Sequence, residues 1–158
     1  MSRKISSRAR PDEGGDEAID YGPLADWIGF NLRMAQAAAF QAFSRTASEI
    51  GSRSGRFATL MLIGRNPGIT QSALSRANGR DKSTLSPVLN DLERRGLILR
   101  TRTSDDQRVY CLTLTPAGRD LLKQLTACAR KHERRLDEIV GPRRDELVRL
   151  LKRIAAEA

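Results

Sequence analysis

The sequence predicts a mainly α-helical fold with a small β-wing. Aromatic residues make up only 4% of the 158 residues, while Leu and Ala are abundant, a balance that favours helix. Apolar residues recur at helical spacing in several separate segments. One stretch, residues 97–114, reads instead as two short strands joined by "TSDDQ". A chain of this length makes one domain of ordinary size, or a compact core with helical extensions.

Residues 1–20, "MSRKISSRARPDEGGDEAID", carry charge, Gly and Ser with little apolar content and read as a disordered tail. A long helix follows from about Leu24 to Ser48, with Leu24, Ile28, Leu32, Ala35, Ala39 and Phe43 at helical spacing. Trp27, Phe30, Met34 and Phe40 make it apolar around much of its girth, so a second subunit is the simplest cover. After "GSRSGR" a second helix spans Phe57 to Arg65 and closes at "NPG". In "ITQSALSRANG", Thr70 is placed to N-cap a third helix, with Ala73, Leu74 and Ala77 inward and Gly79 ending it. The fourth helix lies in "RDKSTLSPVLNDLERRG": Leu85, Val88, Leu89 and Leu92 form its stripe, Gly96 is its C′ residue, and Pro87 should bend it or loosen its first turn. The strands are 97–102 and 108–114. Thr115 and Pro116 then cap a helix reaching about Val140, and "GPRRDEL" restarts helix at Pro142. Its stripe is Leu147, Leu150, Leu151 and Ile154, and both terminal helices are too long and amphipathic for a core of about 60 residues to satisfy.

Charge narrows the function. The formal net charge is +9, and residues 51–119 hold 12 Lys and Arg against five Asp and Glu. That concentration marks a polyanion-binding surface. Two cysteines and one histidine cannot supply a four-ligand zinc site, and no CxxC occurs. No cofactor is implied. The first ten residues lack a secretory apolar region, and no run is long enough to span a membrane, so a cytoplasmic protein is expected. With no nucleophile–base pair and no Gly-rich phosphate loop, the sequence does not read as an enzyme.

Three short helices followed by a hairpin is the order of a winged helix-turn-helix. The fourth helix carries Lys82, Ser83, Thr84, Ser86, Asn90, Asp91 and Arg94 between its apolar positions. Small hydroxyls, an amide and basic groups suit a helix in the major groove of double-stranded DNA, where they meet base edges and phosphates. Arg102 on the first strand adds a cation. At the hairpin tip, Arg108 is suited to the minor groove, whose narrowness concentrates negative potential. Asp106, two residues away, is placed to brace Arg108 through a charge-assisted fork, and Asp105 shapes the turn.

The motifs Arg80-Asp81-Lys82-Ser83-Thr84-Leu85, "LNDLERRGLI" and "DQRVYCLTLTPAG" together resemble the MarR family of bacterial transcription regulators, over roughly residues 24–156. Asp106, Arg108, Leu114, Thr115 and Gly118 match the family's wing signature, while Gln107 stands where many members carry another Arg. The resemblance implies a homodimer binding a palindromic operator, with residues 21–50 and 120–158 as dimerisation helices and 51–119 as the DNA-binding lobe. It also implies repression relieved by a small ligand. Trp27, Asn31, Arg33 and Met34 on the first helix, with Phe57 and Met61 on the second, would suit an aromatic carboxylate or its CoA thioester. The stretch "IGFNLRMAQAAAF" is similar to the first helix of members answering to hydroxycinnamic-type acids. The alternative is a thiol-based redox sensor of the same fold. Cys111 and Cys128 sit on a strand and mid-helix, away from the start of the first helix where oxidant-sensing relatives keep theirs.

Overall fold

The computed structural model describes residues 19–48, 54–102 and 110–157. The expected disordered tail, apart from Ile19 and Asp20, falls outside them. So does the hairpin tip with Asp105, Asp106, Gln107 and Arg108. The chain divides into two units, Met1–Gln36 and Ala37–Ala158.

A short 3-10 turn, Gly22–Asp26, lies in the first unit and precedes helix α1, Ile28–Ser48, whose residues from Ala37 onward belong to the second unit. The helix expected from Leu24 therefore starts four residues later. Trp27 is extended at φ −80° and ψ 128°, and the Asn31 amide donates to the carbonyls of Ala25 at 2.8 Å and Trp27 at 2.9 Å. A side chain that satisfies local carbonyls competes with helix propagation, and here it fixes the break. Tyr21 and Phe30 meet with ring centroids 5.4 Å apart, and the Arg33 guanidinium lies 5.1 Å from the Phe30 ring centroid.

The second unit holds the core. Helix α2 (Phe57–Arg65) buries Thr59, Leu60 and Ile63. Strand β1 is only Ile69–Thr70, and Thr70 Oγ1 then caps α3 (Gln71–Asn78) by accepting from Ala73 N. Gly79 ends α3 at φ +61°, where a Cβ is strained. Leu74 and Ser75 are the buried residues of α3; Ala77, expected inward, is exposed, because the single buried turn of so short a helix is taken by Leu74. Helix α4 (Lys82–Arg94) buries Leu85, Leu89 and Leu92 and continues unbroken through Pro87.

Strands β2 (Ile98–Arg102) and β3 (Tyr110–Leu114) pair antiparallel, with Ile98 opposite Leu114 and Arg102 opposite Tyr110. β1 adds to the other edge of β3, giving the order β1-β3-β2. This third strand was not expected: two residues are too few to show alternation. Leu112 and Leu114 enter the core beside Leu60, Ile63 and Leu125, each such side chain contributing about 1.5–3 kcal/mol.

Helix α5, Pro116–Val140, starts on the Thr115 cap, whose Oγ1 accepts from Gly118 N and donates to the Gly96 carbonyl. A Cβ on Gly118 would lie 1.9 Å from the Leu97 carbonyl oxygen, so only glycine lets α5 approach the start of β2 this closely. A 3-10 turn, Gly141–Arg143, leads into α6, Arg144–Glu157, two residues later than expected because Pro142 opens the turn and not the helix. Arg144 bonds Asp137 and Asp145 across this corner, and those partners raise its guanidinium pKa above the ordinary value. Ile139, Leu147, Leu150, Leu151 and Ile154 are all exposed on α5 and α6.

Candidate nucleic-acid interface

Helix α4 owes its fixed start to Asp81. One carboxylate oxygen accepts from Ser83 Oγ at 2.6 Å and Thr84 N at 2.7 Å; the other accepts from Thr84 Oγ1 at 3.1 Å. The Ser83 hydroxyl and the two Thr84 donors hold the Asp81 pKa down at about 2. An ionised carboxylate at a helix N-terminus also meets the positive end of the helix dipole.

The exposed side chains of α4 fall into two sets. Ser83, Pro87, Asn90 and Arg94 recur at i, i+4, i+7 and i+11, opposite buried Leu85, Leu89 and Leu92, and form the outermost stripe. Lys82 and Thr84 flank it at the N-terminal turn. Ser86 is half-buried: its hydroxyl donates to the Lys82 carbonyl and accepts from Gln71 Nε2 at 2.8 Å, so it ties α3 to α4. Of the residues predicted to meet DNA, Lys82, Ser83, Thr84, Asn90 and Arg94 thus share one exposed surface. Arg102 sits at the end of β2, its guanidinium 5.7 Å from the Tyr110 ring centroid. Asp106 and Arg108 lie outside the described residues.

Two arginines absent from the sequence prediction hold this surface from behind. Arg56, its side chain only 10% exposed, pairs with Asp91 Oδ2, and the other Asp91 oxygen accepts from Arg94 at 2.8 Å. Burial pushes the Asp91 carboxyl up, but the Arg94 hydrogen bond and the charges of Arg56, Arg94 and Arg95 outweigh it and leave the pKa lowered. On the wing side, Arg100 donates to Asn90 Oδ1 at 2.6 Å and lies 3.1 Å from Glu93 Oε2. Its buried Nε has no well-aligned acceptor, so that second approach is an ion pair without a hydrogen bond. The signal for Arg56 was slight: one of two Arg in a Gly/Ser-rich turn, 35 residues from its partner. An open depression of about 760 Å³ beside α4 is lined by Phe40, Arg56, Val88, Asp91 and Arg94 among others.

The predicted effector residues fall in both units. In the first, Trp27 is 60% exposed, Met34 is exposed, Asn31 spends its amide hydrogens on backbone carbonyls, and Arg33 packs on Phe30. In the second, Phe57 stacks on Phe43 at 5.5 Å, and Met61 borders an open depression of about 440 Å³ with Arg119, Lys123 and Arg130. Cys111 and Cys128 are free and partly buried. Among the described residues no cluster of three His, Cys, Asp or Glu could hold a metal, and no helix is long and apolar enough to cross a membrane.

The MarR family model matches residues 54–110, from the turn before α2 to the first residue of β3. A transcriptional regulatory protein for the hcr operon of Thauera aromatica is 35% identical over 149 residues, covering 93% of this chain and 90% of its own length. The chain belongs to the MarR family. It is accordingly a DNA-binding transcriptional regulator and not an enzyme. Two solved structures of the MarR-type repressor CouR resemble it over most of its length. CouR bound to a 23-mer DNA duplex is 33% identical with a TM-score of 0.79, covering 87% of this chain and 98% of CouR. CouR bound to p-coumaroyl-CoA is 32% identical with a TM-score of 0.80, covering 89% and 99%. The small three-stranded sheet and surrounding helices of this MarR protein thus match a winged-helix repressor.

Proposed function

We propose that this MarR protein is a repressor that binds a palindromic operator as a homodimer and is released by a small aromatic acid or its CoA thioester. The observation that carries the DNA reading is the α4 surface: an exposed polar stripe, N-capped by Asp81 and backed by Arg56 and Arg100. α4 enters the major groove with Lys82, Ser83, Thr84, Asn90 and Arg94 toward bases and phosphates, and Ser86 steadies its approach. Arg102 and Arg108 extend the contact along the wing, with Asp106 bracing Arg108.

Dimerisation is assigned to residues 21–50 and 120–158. In support, the α6 stripe of Leu147, Leu150, Leu151 and Ile154 is exposed in the single chain. Apolar side chains at that spacing are ordinarily covered.

The effector class rests on CouR, which is seen with p-coumaroyl-CoA. Trp27, Asn31, Arg33 and Met34 of the first unit, and Phe57 and Met61 of the second, are the residues assigned to it. A thermal-shift screen of hydroxycinnamic acids and their CoA thioesters tests the assignment. A true effector raises Tm by mass action and releases DNA over the same concentration range; at 100 times Kd the stabilisation is about 2.7 kcal/mol. Stabilisation by no member of either class, or stabilisation without DNA release, refutes it.

A further inference from the structure

We infer that Pro87 is a specificity-determining residue: its pyrrolidine ring, held midway along the outermost α4 stripe, packs on the 5-methyl group of a thymine in the major groove. The inference rests on the proposed docking of α4 in that groove and names a base contact within it.

A proline is costly in this place. Pro87 lies inside α4, beyond its first turn. It has no N–H to return to the Ser83 carbonyl, and its ring crowds that carbonyl, so proline is by far the least favourable residue in a helix interior. Packing does not compensate, because Pro87 is exposed on the side opposite buried Leu85, Leu89 and Leu92. Yet α4 runs unbroken from Lys82 to Arg94. Two local devices hold the weakened turn. Asp81 caps the helix start through Thr84 N. The Ser86 hydroxyl donates to the Lys82 carbonyl at 2.7 Å and accepts from Gln71 Nε2 at 2.8 Å, which fastens the residue beside the proline to α3. The fold carries a proline that it would be more stable without.

What the ring offers instead is a contact. Ser83, Pro87, Asn90 and Arg94 follow one another along the stripe, so Pro87 is an apolar point with polar neighbours on both sides. In the major groove the apolar group on a base edge is the thymine methyl. Proline meets it without losing rotamer freedom. It also presents no side-chain donor or acceptor that another base could satisfy. Ser83, Asn90 and Arg94 can bond to bases or phosphates; Pro87 discriminates by the methyl alone.

The experiment uses the full-length protein and its Pro87→Ser variant, each with duplexes that it enriches from a random-sequence pool. Wild type should enrich a thymine at a motif position where Pro87→Ser shows no preference. Deoxyuridine, which lacks only the methyl, is then placed at every thymine of the wild-type motif in turn. At that one position it should weaken wild-type binding about fourfold, the worth of one buried methyl group, and leave binding by Pro87→Ser unchanged. Pro87→Ser should also raise Tm by about 5 °C, because it restores the missing N–H. The deoxyuridine scan on wild type needs no variant to fold.

The same motif for both proteins, wild-type binding insensitive to deoxyuridine at every thymine, or a Tm that stays or falls in Pro87→Ser each overturns the inference. So does an equal loss on all duplexes with the motif intact, which would make Pro87 a shaper of the helix. Lys82→Ala and Arg94→Ala test the underlying reading separately. If neither weakens binding, α4 is not in the groove. If they do and Pro87→Ser leaves the motif unchanged, only the base contact falls.

Discussion

Asp81 is the residue on which the reading surface is hung. Its three hydrogen bonds are stronger to the ionised carboxylate than to the neutral acid, and they hold its pKa at about 2. A folded-state pKa below the unfolded value of about 3.9 means that the stabilising effect is complete above that unfolded value and lost as pH falls toward 2. Asp81→Ala should therefore lower Tm at pH 7, and the gap from wild type should close as pH falls from about 4 toward 2; thermal melts across that window check it. Asn90 and Arg94 make a second prediction. Alanine at either should weaken operator binding by about 1–3 kcal/mol; Arg94→Ala should leave Tm near the wild-type value because its side chain is exposed, whereas Asn90→Ala should lower Tm because it removes the acceptor of the mostly buried Arg100. Titration of the selected duplex measures the loss. The exposed polar stripe of α4 was legible in the sequence, since polar side chains set between Leu85, Leu89 and Leu92 on a capped helix announce an outward face. Their supports were not. Arg56 and Arg100 reach α4 from 35 and ten positions away. No local pattern ties a buried arginine to a carboxylate that far along the chain.

Among the elements, caps and glycines were the most readable features, because each is a local chemical requirement. Thr70, Thr115, Gly79 and Gly96 stand where the sequence placed them. Gly118 goes further than its motif revealed, since it is a packing glycine at the junction of α5 and β2. Gly118→Ala should destabilise the fold by about 1–3 kcal/mol, the cost of overpacking against backbone that cannot swing aside. Denaturant unfolding with an unchanged m-value would show that cost directly. Strand β1 and the late start of α1 were illegible for opposite reasons. β1 is too short to carry a period, and it exists only because β3 offers an edge. At the α1 boundary the Asn31 side chain serves the Ala25 carbonyl in place of a helical N–H and adds a second bond to the Trp27 carbonyl, which keeps its helical bond from Asn31 N.

For the whole molecule, the exposed stripe of α6 sets the oligomeric prediction. Leu150→Glu with Leu151→Glu should convert a dimer to a monomer in sedimentation experiments, and should abolish operator binding while α4 remains intact. The basic middle of the chain, +7 over residues 51–119, needs a polyanion, and family membership supplies the reason. The measurement that tests the account most directly is the stoichiometry and symmetry of the complex. Duplexes selected by the full-length protein should contain an inverted repeat with half-sites about one helical turn apart, and each should bind two chains in native mass measurements. Selected duplexes with no inverted repeat, or one chain per duplex at saturation, would contradict the claim that a paired chain sets two α4 helices into successive major grooves.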